Sequence, residues 1–244
     1  MAVSIDISNA FNTIPWSTIL ESLRFHRVPT GLRNLIEDYL AGRAVGIPER
    51  RGWGHKAVSC GVPQGSVLGP LLWDVGFDWV LRGANLRGVQ VICYADDTLV
   101  TARGDDYRSA AILAVAGVAT VVSRIKRLGL EVALHKSEAV CFHSAREGPP
   151  QGANLVVGGV TIAVQPKLKY LGLVLDSKWR FDHHFKMLGP RLLGTAGALT
   201  RLLPNTVGCS AGIRRLYLGV VRSMALYGAP VWSPALTARN AALL

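Results

Sequence analysis

Residues 89–101, VQVICYADDTLVT, form an apolar and β-branched run that two adjacent carboxylates, Asp96 and Asp97, interrupt at its centre. This pattern predicts a strand, a tight turn and a second strand, with the two acids at the turn. Neighbouring ionised carboxylates repel each other, and burying them without partners costs several kcal/mol, so a half-buried turn of this kind needs a cation. Two solvated aspartates in an ordinary hairpin turn would give the same pattern, because Asp is a common turn residue.

Three other segments bear on this choice. Near the N-terminus, Val3–Ile7 is a short strand pattern that contains one acid, Asp6. Residues 61–70, GVPQGSVLGP, have two glycines around a Pro-Gln pair, which allows close approach to the backbone, and they begin a predicted helix. Residues 129–138 contain GLEV and then HKSE, and they lead into another predicted strand.

Five segments follow one another in the order and approximate spacing of the palm motifs of reverse transcriptases. They are DISNAF at 6–11, GVPQGSVLGP at 61–70, YADD at 94–97, GLEV to HKSE at 129–138, and KYLG at 169–172. The chain therefore resembles the reverse transcriptase of non-LTR (LINE-type) retrotransposons, and residues 203–232 are similar to the thumb and post-thumb region of insect-type elements. The resemblance covers nearly the whole chain.

The resemblance implies an α+β fold. We expect a polymerase right-hand palm, with an antiparallel sheet packed on helices in a ferredoxin-like core, followed by a mostly helical thumb. It assigns residues 1–150 to the palm, 151–176 to a palm hairpin and primer-grip-like segment, and 177–244 to the thumb and post-thumb segment. In this family a fingers subdomain precedes the first acid. Since Asp6 lies only five residues after Met1, we expect the fingers to be absent and the isolated chain to extend a primer slowly.

For the chemistry, the resemblance implies a site with two divalent metal ions. Two ions roughly 3.5–4 Å apart can activate a primer 3′-hydroxyl and stabilise the leaving pyrophosphate. Asp6 and Asp96 match the bridging ligands, Asp97 matches the third acid, and the carbonyl of Ile7 is a plausible extra ligand. Carboxylate oxygens suit Mg²⁺, with Mn²⁺ as an alternative.

The resemblance also implies roles for five residues that bind substrate or move a proton. Phe11 matches the bulky residue that excludes a 2′-hydroxyl, although an ordinary core aromatic would look the same. Gln64 matches the residue that contacts the incoming nucleotide, and Gly65 keeps the backbone out of its way. Lys136 is a candidate general acid near the pyrophosphate, and Tyr94 packs either beside the acids and the primer end or in the core.

Charge agrees with a nucleic-acid partner. The chain carries 27 Lys and Arg against 16 Asp and Glu, for a net charge of +11. Residues 177–244 hold nine of the basic residues and one acid, Asp182, which gives +8 of that total. This distribution favours a C-terminal section that contacts a phosphate backbone, and a generally basic surface is the alternative.

Hydrophobic periodicity gives a coarse map of the elements. The predicted strands are 2–7, 45–48, 56–60, 89–94, 97–102, 138–142, 155–163 and 168–175. The predicted helices are 16–27, 30–41, 70–82, 106–128, 180–203 and 210–226. The helix over 106–128 starts with the capping pair Asp105-Asp106 and stops at Gly129, and its Ala- and Gly-rich face predicts close packing on a sheet.

The predicted function is that of an RNA-directed DNA polymerase acting on an RNA template, a DNA primer and a dNTP. Two alternatives stay open: a catalytically silent relic that binds nucleic acid, and an interaction module adopted by the host. The uncharged run 109–123 is too short for a membrane span of about 20 residues, so we expect no membrane partner.

The cysteines and the predicted location complete the sequence-based expectations. Four scattered residues, Cys60, Cys93, Cys141 and Cys209, form no CxxC pair, so we expect reduced thiols with no zinc site. No signal peptide is recognisable at the start of the sequence. We therefore expect an intracellular protein, and the resemblance adds a nuclear site of action.

Overall fold

The computed structural model of the protein describes residues 1–50, 52–144, 148–201 and 211–243. The chain forms two compact units. Unit 1 comprises Met1–Ala139 and Pro149–Val164, and unit 2 comprises Val140–Gly148 and Gln165–Leu244. The division after Val164 falls inside the segment 151–176, and the names palm and thumb for these units stay predictions.

In the described part of the chain, ten strands form three antiparallel-rich sheets. A six-stranded sheet has the order β4-β5-β1-β6-β8-β7, and two hairpins, β2–β3 and β9–β10, form sheets of their own. The strands are β1 (Ala2–Ile5), β2 (Ala44–Glu49), β3 (Gly52–Ala57), β4 (Val89–Tyr94), β5 (Asp97–Ala102), β6 (Glu138–Val140), β7 (Asn154–Val157), β8 (Val160–Gln165), β9 (Lys167–Tyr170) and β10 (Leu173–Asp176).

Helices separate and follow these strands. Short 3₁₀ turns occupy Leu134–Lys136 and Ser233–Ala235. The α-helices are α1 (Ala10–Thr13), α2 (Trp16–Phe25), α3 (Thr30–Leu40), α4 (Gly69–Phe77), α5 (Trp79–Arg82), α6 (Tyr107–Arg127), α7 (Asp182–Arg201), α8 (Ala211–Ala225), α9 (Ala229–Trp232) and α10 (Ala238–Ala241).

The centre of the six-stranded sheet is the antiparallel pair β1–β5. Val3 lies opposite Val100 and Ile5 opposite Thr98, and all four side chains are buried. On its other side β5 pairs with β4, with Tyr94 opposite Asp97. The strands predicted over 89–94 and 97–102 are therefore confirmed at both ends. The prediction succeeded because a β-branched run on each side of a two-residue turn strongly favours a hairpin.

Helix α6 packs on this sheet and has the predicted ends. The carboxylate of its N-cap residue Asp106 accepts a hydrogen bond from the Ser109 amide at 2.7 Å, and the Ser109 hydroxyl accepts from the Asp106 amide. At Gly117 the helix comes so close to the sheet that an added Cβ would lie 2.8 Å from Cγ1 of Val89 and 3.1 Å from Cγ1 of Val100.

Helix α6 is also the one helix in the described part of the chain that is long and apolar enough to cross a membrane. Its buried residues lie along the face that meets the sheet, from Ala110 and Ala114 to Ile125. The core helix of a globular domain has this same composition, so length and apolarity here are explained by packing.

Two segments that the sequence predicted as single strands are hairpins instead. Residues 155–163 form β7 and β8, joined by a turn at Gly158-Gly159, where φ is +57° and +81°. Residues 168–175 form β9 and β10, joined at Leu171-Gly172, where φ is +44° and +78°. Left-handed backbone at these positions reverses the chain. Apolar residues lie on both sides of each turn, so the two halves of each hairpin looked like one continuous strand.

Unit 2 has its own apolar core, formed by Leu173, Leu175, Phe181, Phe185, Leu188, Leu192 and Trp232. The carboxylate of Asp176, at the end of β10, accepts hydrogen bonds from the amides of Lys178, Arg180 and Phe181. These bonds fold the loop after β10 back on itself, so that the Phe181 side chain enters the core.

The close approach at Gly117 predicts a specific destabilisation. We expect Gly117→Ala to lower the free energy of unfolding by about 1–2 kcal/mol, because crowding of Val89 and Val100 outweighs the better helix propensity of Ala. Gly219→Ala in α8 is the matched control, since nothing lies within 4 Å of its added Cβ, and it should stabilise by roughly 0.5–1 kcal/mol. Urea unfolding followed by circular dichroism measures both, and equal stabilisation by the two changes would contradict the contact.

Candidate active site

The turn between β4 and β5 carries two of the predicted acids. Ala95 and Asp96 are its two central residues, and Ala95 has a φ of +55°. Because Ile5 lies opposite Thr98, continuing the same antiparallel register by one residue places Asp6 opposite Asp97. The three acids therefore meet at one end of the sheet, on neighbouring strands.

A second set of backbone bonds attaches the segment 129–136 to the same place. The Ala133 amide donates to the Asp6 carbonyl and the Ser8 amide donates to the Glu131 carbonyl, both at 2.9 Å. Between them Ile7 forms an isolated antiparallel bridge with Val132. This ladder uses the Asp6 carbonyl and the Ser8 amide, so the Ile7 carbonyl takes no part in it.

The 3₁₀ turn that follows this ladder brings in a cation. Lys136 Nζ lies 3.6 Å from Asp6 Oδ2, and both side chains are about half exposed. A salt bridge at such a surface contributes no more than about 1 kcal/mol to stability. Its importance is local, because it brings one positive charge to a cluster of three negative ones.

The clustered negative charges affect the pKa of Asp97. Partial burial raises the pKa of the Asp97 carboxyl, and the negative charges of Asp96 and Asp6 raise it further. Asp96 and Asp6 thus lie near enough to Asp97 for their charges to act on its carboxyl group. A cation bound among them would oppose both effects.

The donor atoms suit a hard divalent cation, because all three side chains offer carboxylate oxygens. Among the described residues, no group of three His, Cys, Asp or Glu side chains converges closely enough to hold one ion as it stands. The three acids thus share one end of the sheet, and their convergence on a single ion stays a prediction.

The segment 61–70 lies against α1 through backbone contacts. The Val62 amide donates to the Phe11 carbonyl and the Gly61 amide donates to the Ile14 carbonyl, both at 2.7 Å. Gly61 has a φ of +83°, and an added Cβ would lie 2.7 Å from the backbone of Asn12. Only glycine fits this approach, which fixes the start of GVPQG beside DISNAF.

The predicted substrate-binding residues have different surroundings. The Phe11 ring is half-buried and lies 4.7 Å from the ring of Trp73, centroid to centroid. Gln64 and Gly65 are exposed, and Gly65 has a φ of +77°. Tyr94 is 66% exposed, so its interpretation as a core residue is wrong. No observation assigns these four residues a substrate contact.

A cavity of about 430 Å³ borders this part of unit 1, and sequence reasoning missed most of its lining. Asn12, Trp16, Arg43 and Cys60 line it together with Gln64. The Trp16 indole is held there by donating a hydrogen bond to the Gly61 carbonyl at 2.8 Å. Apart from Gln64, these residues belong to no catalytic pattern, and only the folded chain brings them together.

In the described parts of the chain Cys60, Cys93 and Cys141 are free thiols, as predicted, and Cys209 lies outside the described residues. Cys93 lies beside Thr98, and burial raises the pKa of its thiol.

The comparisons with known proteins match the part of the chain that contains these motifs. Residues 1–175 match the sequence profile of the family described as reverse transcriptase (RNA-dependent DNA polymerase). The chain is 31% identical over 232 residues to a 115 kDa protein in the type-1 retrotransposable element R1DM of Drosophila melanogaster, covering 93% of this chain and 22% of that protein. It is 26% identical over 250 residues to the Pol polyprotein from the type-1 retrotransposable element R1 of Bradysia coprophila, covering 100% of this chain and 24% of that protein. The chain thus spans about a quarter or less of these relatives.

Among solved structures, a telomerase from Candida tropicalis, in complex with a fragment of telomeric RNA, matches with a TM-score of 0.52 and 12% identity. The match covers 93% of this chain and 38% of the telomerase chain. At this identity the similarity shows the fold alone, and it confirms the predicted α+β polymerase fold. From the family match over residues 1–175 and the ordered motifs that form one end of the sheet, the chain belongs to the reverse transcriptase (RNA-dependent DNA polymerase) family.

Proposed function

We propose that the chain carries the nucleotidyl-transfer site of an RNA-directed DNA polymerase, which joins a dNTP to a primer 3′-hydroxyl on an RNA template. The observation that supports this most directly is the register of β1 and β5, which brings Asp6 beside Asp96 and Asp97. Because the chain spans only part of its relatives, this activity is a proposal for the chain as well as for the protein that contains it.

In this proposal the three acids hold divalent ions, with Mg²⁺ as the first candidate and Mn²⁺ as the alternative. The ions, when bound, lower the pKa of the attacking hydroxyl and stabilise the leaving oxygen. Asp6, Asp96 and Asp97 would hold the ions through their carboxylate oxygens, and the Ile7 carbonyl is the proposed fourth donor. Its absence from the ladder with Val132 leaves it available for this role.

Lys136 has two proposed roles, separated in time. In the absence of an ion its ammonium group lies 3.6 Å from Asp6, where it offsets part of the repulsion among the acids. When a nucleotide is present, the same group would contact the triphosphate and donate a proton to the leaving pyrophosphate. Its half-exposed position allows the side chain to move between these partners.

The remaining substrate contacts are assigned by analogy with the family. Phe11 would lie under the sugar, and its packing on Trp73 would fix the ring in place. Gln64 would contact the incoming nucleotide, with Gly65 leaving room for it, and exposed Tyr94 would contact the primer end. We further propose an intracellular protein with a nuclear site of action.

A second candidate function is nucleic-acid binding without catalysis. The exposed arginines of α8, Arg214, Arg215 and Arg222, favour it, because phosphate contacts need no metal site. The missing three-acid convergence in the described residues is compatible with either function. The two candidates differ in what they require of Asp97. Nucleotidyl transfer requires its carboxylate, and nucleic-acid binding without catalysis does not.

Changing Asp97 tests the metal site. We expect Asp97→Asn to lower primer extension on an RNA template by on the order of 100-fold or more, because metal stabilisation of the transition state is worth several kcal/mol and about 1.4 kcal/mol is tenfold. We also expect Mg²⁺ to raise the Tm of the unchanged chain and not that of the variant.

The control for this test is Asp105→Asn, which removes one exposed acid beyond the opposite end of β5 and should leave both readouts unchanged. A Mg²⁺-dependent rise in Tm that persists in Asp97→Asn would contradict the proposed ligand role. Extension that is absent throughout, with nucleic-acid binding intact, would favour the second candidate.

Changing Phe11 tests sugar selection. We expect Phe11→Ala to raise ribonucleotide incorporation relative to deoxyribonucleotide incorporation, since removing the ring opens space for a 2′-hydroxyl. Phe11→Tyr keeps the ring and should keep the deoxyribonucleotide preference. Primer extension with each nucleotide alone gives the ratio, and an unchanged ratio in an active Phe11→Ala variant would leave Phe11 as a packing residue for Trp73.

Neutralising α8 tests the backbone contacts. We expect the triple change of Arg214, Arg215 and Arg222 to Gln to weaken duplex binding and to reduce the slope of log affinity against log salt by roughly 0.9 for each lost phosphate contact. Fluorescence anisotropy over a salt series measures this. The charge-matched control changes the exposed residues Arg24, Arg27 and Arg108 to Gln, and an equal effect of both triples would indicate a generally basic surface.

A further inference from the structure

The two strands of the hairpin β2–β3 are exposed along almost their whole length. Every residue of β2 is exposed, and Gly54 is the one residue of β3 that is partly covered. The two strands pair continuously from Ala44 opposite Ala57 to Glu49 opposite Gly52. A two-stranded hairpin that covers so little apolar surface gains little from the core of unit 1, so the apolar and aromatic side chains that it carries need another explanation.

One face of this hairpin carries two aromatic rings. Residues that alternate along a strand share a face, so Trp53 and His55 lie on the same side as Gly46 and Pro48, their partners across the hairpin. The Trp53 ring lies over Gly46, where an added Cβ would be 3.3 Å from its Cε3 atom. Trp53 is nevertheless 72% exposed. One side of the indole therefore rests on bare backbone and the rest is open to solvent.

The spacing of the two rings suits unstacked bases. Two residues along a strand are about 6.6 Å apart, which is roughly twice the 3.4 Å between successive bases of a duplex strand. Bases that lie flat on Trp53 and His55 must therefore separate from each other. A single strand allows this separation and a duplex opposes it.

The charge around the hairpin is complementary to a phosphate backbone. Residues 43–57 contain four basic residues and one acid. The acid, Glu49, lies on the opposite face from Trp53, where its carboxylate covers Gly54. By the same register Lys56, the partner of Val45, also lies on the face opposite Trp53. The two-ring face thus has no carboxylate of its own, and the exposed basic residue Arg50 follows directly after β2.

From these observations we propose that the face formed by Trp53 and His55 binds single-stranded nucleic acid by base stacking, with the exposed Arg50 contacting its phosphates. Sequence-tolerant binding of single strands uses this combination of aromatic rings and positive charge. The proposal goes beyond the nucleotidyl-transfer site, because stacking on the hairpin needs neither the acids nor a metal ion. A protein segment would instead be expected on the other face, where Val45 and Ile47 are exposed.

The test compares single-strand and duplex binding by the whole chain. The probes are a fluorescein-labelled mixed-sequence single strand and the same strand annealed to its complement, measured by anisotropy. Because one stacked base contributes about 1–3 kcal/mol, we expect Trp53→Ala to weaken single-strand binding by roughly 5- to 150-fold and to leave duplex binding unchanged. Trp53→Phe keeps a ring and should retain most of the affinity.

Ile47→Ala on the opposite face is the matched control, and it should bind single strands as the unchanged chain does. Equal losses from Ile47→Ala and Trp53→Ala would overturn the proposal, as would a Trp53→Ala variant with unchanged single-strand affinity or with equal losses for both probes. Asp97→Asn separates this inference from the proposed reaction. Trp53-dependent binding that persists in Asp97→Asn, or in a chain that extends no primer, supports the hairpin platform whatever the outcome for catalysis.

Discussion

Backbone hydrogen bonds between Ala2–Ile5 and Thr98–Thr101 set the register of the two central strands of the six-stranded sheet. A slip of one residue would move every side chain of one strand to the other face, and Val3 would lose its buried place opposite Val100. The same slip would separate Asp6 from Asp97. Burial of apolar side chains and placement of the acids are therefore satisfied by one register, and the ladder from Asp6 to Ser8 extends that register to Lys136.

The acid cluster is an electrostatic compromise. The pKa of Asp97 is raised by burial and by its two acidic neighbours, so the fold holds negative charges closer together than they would stay in water. Lys136 offsets part of this repulsion from the side of Asp6, and the positive φ of Ala95 keeps the turn that presents Asp96 tight. The three acids share this end of the sheet, and holding a single ion would still require their carboxylates to converge.

Sequence patterns predicted the parts of the structure that depend on neighbouring residues. The strands around Asp96 and the cap of α6 at Asp106 follow from local alternation and capping. The turn at Leu171 could not be predicted in this way, because its left-handed backbone is atypical of Leu. The contact between Lys136 and Asp6 joins residues far apart in sequence, and only the resemblance suggested that both belong to one site. No sequence pattern indicated the face formed by Trp53 and His55. Its exposure depends on how little of the hairpin the rest of unit 1 covers.

The interleaved composition of the two units has a consequence for synthesis on the ribosome. The chain passes from unit 1 to unit 2 after Ala139, returns at Pro149, and leaves again after Val164. Domains usually form in the order in which they emerge, at about 5–20 residues per second. Here the first unit cannot close until β7 and β8 have emerged, and Val140–Gly148 must wait without their partners for the residues after Gln165. Nascent chains of this protein therefore pass through an interval in which neither unit is complete.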